Sequence, residues 1–282
     1  MSAERVKNRW LVVVGAVVIQ LCLGAIYAWG TFVPTLTDDK ATLVKNMSPE
    51  LLKLDKSTAD ELAKLKKSVA EVNAKIGTSE APKELLEEKK TAETNLKNFC
   101  TAAAEKVASE VWKTHFFAFS KTAASGIFSA GLFTFALVMI MAGRWQDKAG
   151  PRVVALTGGV VLGVGYTLAS FTGTNYWAMF VLIGIVGGAG IGLGYVCPIA
   201  ACVKWFPDMK GFITGMAVAG FGAGAYIFVK LGGEWANLIS DYGVNATFLV
   251  FGIIFLVAVV LGALLLSNPP AGWKPGRELR RI

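Results

Sequence analysis

Gln20, Tyr27, Thr134, Tyr195, Tyr226 and Lys230 lie within or at the edge of long apolar stretches. Polar side chains in such surroundings are costly unless partnered, so they mark helix–helix hydrogen bonds or a route for a polar solute. The amide and the hydroxyls can donate hydrogen bonds without carrying charge. Gln20 and Tyr27 are seven residues apart, which on a helix places them on one face. Lys230 is the only charge near the core of an apolar stretch; it stands close to the outer end of the fifth, where a lysine either snorkels to the interface or meets an anion. A second constellation is polar throughout: Gly143-Arg144-Trp145-Gln146-Asp147-Lys148-Ala149-Gly150-Pro151-Arg152. It sets one acid among Arg144, Lys148 and Arg152, as an orientation anchor or as a conformational element. No serine or cysteine stands in a nucleophile motif, and His115 is the lone histidine. Cys22, Cys197 and Cys202 fall in apolar stretches and Cys100 in a polar one, so no disulfide, metal site or cofactor is expected.

The elements that position these residues follow from composition. The chain has 282 residues, 54% hydrophobic and 17% charged, against about 25% charged in a soluble domain. Residues 38–113 hold 14 lysines and 14 acids, and the remainder is nearly charge-free. A soluble enzyme, a secreted disulfide scaffold and a disordered chain are excluded. Six stretches reach the ~20 residues that a helical span requires. They are Trp10–Pro34, Thr122–Gly143, two within Val153–Val203 divided at Gly173-Thr174-Asn175, Gly211–Lys230 and Ala246–Ser267, stopped by Asn268-Pro269-Pro270. Backbone amides in lipid must bond within their own segment, so all six are expected to be helices. The first is read as an uncleaved span, because its apolar run exceeds the ~7–15 residues of a signal peptide.

Charge sets the orientation. The N-terminus, the second-to-third and fourth-to-fifth connections and the tail together carry twelve basic residues against four acids, which is the whole net charge of +8. The positive-inside rule places both termini in the cytoplasm and residues 37–114 outside, in a plasma (inner) membrane. The basic residues are split over four short segments, which excludes a nucleic-acid face. In 37–114, Ser48-Pro49-Glu50 predicts a helix start. Leu62, Leu65, Val69, Val72 and Ile76 follow coiled-coil spacing. After a turn at 77–82, Leu85, Ala92, Leu96, Phe99, Ala103 and Val107 form a second stripe. The expectation is an extracytoplasmic antiparallel helical hairpin with arms of about 40 Å at 1.5 Å per residue, either a docking arm or a spacer.

The ten-residue segment fits G-x-x-x-D-x-x-G-x-R and, at this connection, resembles the signature of the major facilitator superfamily. Further stretches resemble its oxalate/formate antiporter branch. They are Asn8-Arg9-Trp10-Leu11, Gly24-Ala25-Ile26-Tyr27-Ala28-Trp29-Gly30, Gly194-Tyr195-Val196-Cys197-Pro198-Ile199-Ala200, Val203-Lys204-Trp205-Phe206-Pro207-Asp208, Gly215 to Ala225, and Asn268-Pro269-Pro270-Ala271-Gly272-Trp273. The likeness covers the chain except residues 37–114.

The resemblance implies an all-α membrane protein: twelve spans in two six-helix halves that move small organic anions by alternating access. This chain matches the N-terminal half. Residues 1–36 hold the N-terminus and first span, 37–114 the inserted hairpin, 115–267 the second to sixth spans, and 268–282 a cytoplasmic tail. The expected partners are the lipid bilayer, a small carboxylate substrate and a C-terminal six-helix half; the expected role is not enzymatic. The substrate path is assigned to Gln20, Tyr27, Thr134, Tyr195, Tyr226 and Lys230, and the conformational motif to Gly143, Arg144, Asp147, Lys148, Gly150 and Arg152. In the family that motif's aspartate locks the outward-open state. A rival reading is a six-span scaffold or sensor acting through the outer hairpin.

Overall fold

A computed structural model of the chain describes residues 9–76, 82–270 and 273. In chain order it contains α1 (Arg9–Leu23), a 3₁₀ segment (Gly24–Thr31), α2 (Val33–Thr37), α3 (Lys40–Asn46), α4 (Lys56–Ile76), α5 (Lys83–Lys106), α6 (Ser109–His115), α7 (Lys121–Ala149), α8 (Pro151–Ala169), α9 (Tyr176–Met179), a π-wound segment (Phe180–Gly187), α10 (Gly188–Trp205), α11 (Lys210–Lys230), a second π-wound segment (Leu231–Trp235) and α12 (Leu238–Leu265). No strand occurs among the described residues. The turn expected at 77–81, the cations Arg5 and Lys7 and the tail cations Lys274, Arg277, Arg280 and Arg281 lie outside the described residues.

Among the described residues, six helices are long and apolar enough to cross a membrane: Arg9–Thr31, Lys121–Ala149, Pro151–Ala169, Tyr176–Trp205, Lys210–Trp235 and Leu238–Leu265. The chain is a multi-pass membrane protein. Three boundaries differ from the sequence expectation, the fifth span running past Lys230 to Trp235. The second span continues through Gly143–Ala149, because nothing helix-breaking intervenes before Gly150, whose φ of +86° makes the turn into Pro151. The last helix starts at Leu238 and is broken at Gly243, where φ is +84°.

The first span is the hub. Of its most apolar window 67% is buried, against 17% for α7. α1 packs on α10, α11 and α12, while α8 lies against α10 and α12. Val12, Ala16, Ile19 and Leu23 of α1 enter a core shared with Leu162 of α8, Ile191 and Cys197 of α10, and Phe251, Phe255 and Val259 of α12. Without a hydrophobic driving force between helices in lipid, contact of this kind relies on close backbone approach. The tightest approach is between the first span and α11. A Cβ on Gly24 would stand 1.9 Å from the Phe221 carbonyl oxygen, and one on Gly224 would stand 2.0 Å from the Leu21 carbonyl oxygen.

Residues 37–114 form a second core at one end of the bundle. Leu43, Val44 and Leu52 pack there with Leu62, Leu96, Cys100, Ala103 and Trp112. α4 and α5 pack on each other, and Lys75 meets Glu88 at 3.8 Å near the ends of the two helices that residues 77–82 join. The helix start expected at Ser48 is corrected. Ser48 Oγ accepts from the Leu51 N–H, but this turn ends at Lys53, whose φ is +53°, and α4 begins only at Lys56. Asp55 caps it, accepting from the Thr58 N–H at 3.0 Å. With 21 and 24 residues, the helices are about 32 and 36 Å long, shorter than expected. Among the described residues, three hydrogen bonds tie this segment to the bundle: Ser48 N–H to the Ser240 carbonyl, Asn245 Nδ2 to the Thr114 carbonyl and Thr174 Oγ1 to the Lys113 carbonyl.

Gly224→Val should drive α11 away from the first span and lower stability by about 3 kcal/mol, the upper range of over-packing costs. Gly222→Ala, whose added Cβ meets nothing within 4 Å, should be neutral. Thermal unfolding of detergent-solubilised protein checks both; equal melting of the two variants would refute the contact.

Candidate functional site

The glycine crossing brings α11 against the first span, and with it an aromatic cluster. Tyr27 stands edge-on to Phe221 at 5.5 Å and tilted against Phe128 at 6.3 Å. Tyr195 stands edge-on to Phe221 at 5.1 Å and to Phe135 at 5.3 Å. Edge-to-face rings at these separations gain about 0.5–1.5 kcal/mol each beyond burial, so α7, α10 and α11 are held around one surface. Tyr27 remains 50% exposed.

Gln20 lies beneath this cluster and is wholly buried. Its Nε2 donates to the Tyr195 carbonyl at 3.3 Å, and its Oε1 has no partner. An orphaned buried acceptor costs about 1–3 kcal/mol. Gln20 therefore fastens α1 to α10 three residues before Pro198, which interrupts the helical ladder. Gln20 and Tyr27 both lie against α11, Gln20 beside Gly220 and Tyr27 against Phe221, but only Tyr27 is open. From Gly24 the chain winds as a 3₁₀ helix, and three residues per turn instead of 3.6 rotate Tyr27 by about 60° between Gly24 and Tyr27, which still leaves it on the Gln20 side. Trp29 secures the segment by donating its Nε1–H to the Ala124 carbonyl at 2.9 Å.

From Tyr195 a groove of ≈ 340 Å³ follows α10 past Ile199 and Val203 to Lys204. There Lys204 Nζ stands 4.0 Å from Asp147, which also accepts from Gln146 Nε2 at 3.3 Å. Asp147 occupies the last turn of α7. An anion at a helix C-terminus is disfavoured by about 0.3–1 kcal/mol, and an exposed lysine offsets only part of that. Its partner in this structure comes from α10 rather than from Arg144, Lys148 or Arg152. Arg144 and Lys148 are exposed, and Arg152 Nε donates to the Leu266 carbonyl at 3.1 Å, at the end of α12. Gly143 borders open space, whereas Gly150 is held to glycine by its φ.

The remaining sequence-assigned residues are elsewhere. Thr134 is half-buried on α7, one residue before Phe135. Tyr226 stands edge-on to Trp235 at 6.1 Å, with Lys230 Nζ 5.8 Å above its ring, at the far end of α11. Lys230 pairs there with Glu234, so its charge is already met. Sequence reasoning missed this partner, although its i+4 spacing is the readable signal. It also missed the ring partners Phe128, Phe135 and Phe221. At the opposite end, Arg9 meets Asp208 at 3.4 Å and lies 4.5 Å above Phe206, and Trp205 donates to the Ser267 carbonyl and stacks edge-on to Trp273. Three of the motif-bearing stretches thus meet at one end of the bundle.

The profile of the Major Facilitator Superfamily matches residues 96–281. The chain belongs to this superfamily. It is 32% identical over 145 residues to the uncharacterised MFS-type transporter YhjX of Escherichia coli, covering 51% of this chain and 34% of that protein. It is 30% identical over 129 residues to the oxalate:formate antiporter of Oxalobacter formigenes, covering 45% of this chain and 29% of that protein. Over 245 residues it is 24% identical to the apicoplast pyruvate carrier 1 of Toxoplasma gondii, covering 85% of this chain and 37% of the carrier. The chain thus spans about a third of the length of these relatives, all named as transporters, carriers or antiporters. Among them the oxalate/formate antiporter-like branch is the one its motifs resemble.

Asp147→Asn should leave thermal stability nearly unchanged, since Asp147 is 72% exposed in its ion pair and such pairs contribute about 0–1 kcal/mol. Under the conformational role that the motif's resemblance implies, transport should fall about tenfold, a ~1.4 kcal/mol change in barrier. Unaltered exchange in vesicles at equal protein would exclude a conformational role.

Proposed function

We propose that the chain is the N-terminal half of a secondary-active transporter for small organic anions, of the oxalate/formate or monocarboxylate type. The observation that carries this reading is the open polar-aromatic surface of Tyr27 and Tyr195, continuous with the groove to Lys204 and Asp147. A half-exposed phenol within a span is costly against lipid and is satisfied when a second bundle closes over it. Alternating access then consists of the two bundles rocking about that surface.

This half brings hydrogen-bond donors and aromatic faces to the surface and, among the described residues, no free cation. Lys230 is engaged by Glu234, and Lys204 lies at the end of the groove beside Asp147. A carboxylate in a low-dielectric cavity needs a cationic or multi-donor partner. The reading therefore assigns the basic ligand to the C-terminal half and assigns Tyr27 and Tyr195 to donation toward the anion. Tighter winding at Gly24–Thr31 fits a hinge beside the path, since mid-helix 3₁₀ turns often mark one.

Residues 1–282 alone should insert but show no saturable exchange of labelled oxalate, formate or lactate in proteoliposomes. Joining or co-expressing a second six-helix half should restore it. Robust exchange by this chain alone would refute the half-transporter reading.

The orientation proposal places the termini in the cytoplasm and residues 37–114 outside. The basic loops and this segment occupy opposite ends of the bundle, which supports it. Cys100 is a poor reporter, because it is 2% exposed and burial raises its thiol pKa. The exposed position Thr94 serves instead. In a background lacking the native cysteines, Thr94→Cys should react with an impermeant maleimide on intact cells; labelling only after lysis would invert the topology.

A further inference from the structure

The joint between residues 37–114 and the bundle closes on His115, the chain's lone histidine and the last residue of α6. The Nδ1–Cε1 edge of its ring lies against Gly243, where α12 is broken at a φ of +84°. A Cβ on Gly243 would stand 2.8 Å from both ring atoms and 3.7 Å from Leu51 of the 48–53 turn. Two residues on, Asn245 Nδ2 donates to the Thr114 carbonyl at 3.3 Å. His115 Nδ1 and Asn245 Oδ1 are both buried, and neither has a hydrogen-bond partner among the described residues. The closed joint thus leaves two polar atoms unsatisfied, which penalises it against an opened, hydrated one. The charged groups on the elements around the ring are exposed: Lys40 of α3, Glu50 and Lys53 of the turn, Glu110 and Lys113 of α6 and Asp241 of α12. The Tyr242 phenol is exposed as well, and Tyr176 of α9 turns its ring to Phe119 and Phe180. None of these groups bears on the ring, and burial alone pushes the His115 pKa below the ordinary histidine value.

We propose that His115 is the proton-binding group of an acid-released latch between α6 and the Gly243 kink of α12. A neutral imidazole carries one N–H and an imidazolium carries two. Protonation in the closed joint would therefore bury a charged Nδ1–H against a bare glycine Cα, with no acceptor in place. Opening hydrates both ring nitrogens and restores the ordinary proton affinity. The open state binds more protons than the closed one, so the joint is at full strength above pH ~6.5 and weakens as pH falls. The open fraction grows by up to about tenfold per pH unit until the lowered pKa of the closed state is reached. His115 lies outside the core that α3, α4, α5 and α6 share, so release loosens residues 37–114 at the end of the bundle without unfolding them. The signal is acidity on the membrane face that carries this segment. The latch stands on the fold alone and does not depend on the transport reading.

Backbone hydrogen–deuterium exchange of the full chain in neutral-lipid nanodiscs tests this at about pH 7.5 and about pH 5.5, on either side of the ordinary histidine value, after correction for the intrinsic rate. Residues 109–119 and 238–247 should exchange about tenfold faster in acid, and α10 should not. Exchange at the imidazole Cε1, read by mass spectrometry, should give one titration below the ordinary histidine value, since the chain holds a single histidine. His115→Gln keeps a polar side chain that cannot titrate, and His115→Phe keeps a ring. Both should lose the acid response, and equal melting temperatures at the higher pH guard against misfolding. Wild-type exchange that is equal at both pH values overturns the latch, as does a histidine that titrates at or above its ordinary value. An acid response that persists in both variants overturns the role of His115. Slower exchange in acid refutes release, because Asn245 Oδ1 would then be accepting the new N–H and tightening the joint.

Discussion

The bundle depends on the crossing of the first span over α11, where two glycines let backbone meet backbone. A side chain at either Gly24 or Gly224 would collide with a carbonyl oxygen of the other helix. In lipid, apolar side chains gain little by preferring each other over acyl chains, so dense van der Waals contact at small residues must do what hydrophobic burial does in water. From that contact follows the position of Phe221, and from Phe221 the convergence of Tyr27 and Tyr195. Gln20 completes the arrangement by bonding α1 to α10 beside its proline.

The two ends of the path differ in electrostatic character. At one end Asp147 stands against its own helix dipole with a distant lysine partner, and Arg9 pairs with Asp208 across a partly exposed gap. Such contacts contribute little to stability and can be exchanged for others at small cost. At the other end Lys230 and Glu234 hold each other within one helix turn. A bundle whose middle is fixed by backbone contact and whose ends are tied by weak, exchangeable charges suits rigid-body rocking better than internal deformation. The polar segment has a core of its own and is tied to this body by hydrogen bonds.

Much of the bundle was legible in the residues. Apolar runs of bilayer length must become helices because the solvent offers their amides no partners. The six spans, their breaks at Gly173 and Pro269, and the family motif at Gly143–Arg152 could therefore be located without coordinates. The buried stripe of α4 and α5 was equally visible, because its period is a property of the helix.

What could not be seen was how that chemistry is shared among helices. Seven-residue spacing puts Gln20 and Tyr27 on one side of the first span, but only the packing around them leaves the amide buried and the phenol open. The partner of Asp147 is Lys204, 57 positions away in sequence, and no local rule selects it over the three neighbouring bases. The sequence by itself determined the class of protein, its spans and its family, because those rest on hydropathy and short motifs. The tertiary structure alone decided which polar groups meet and which remain unpaired, because helix crossings and winding set distances between residues far apart in the chain.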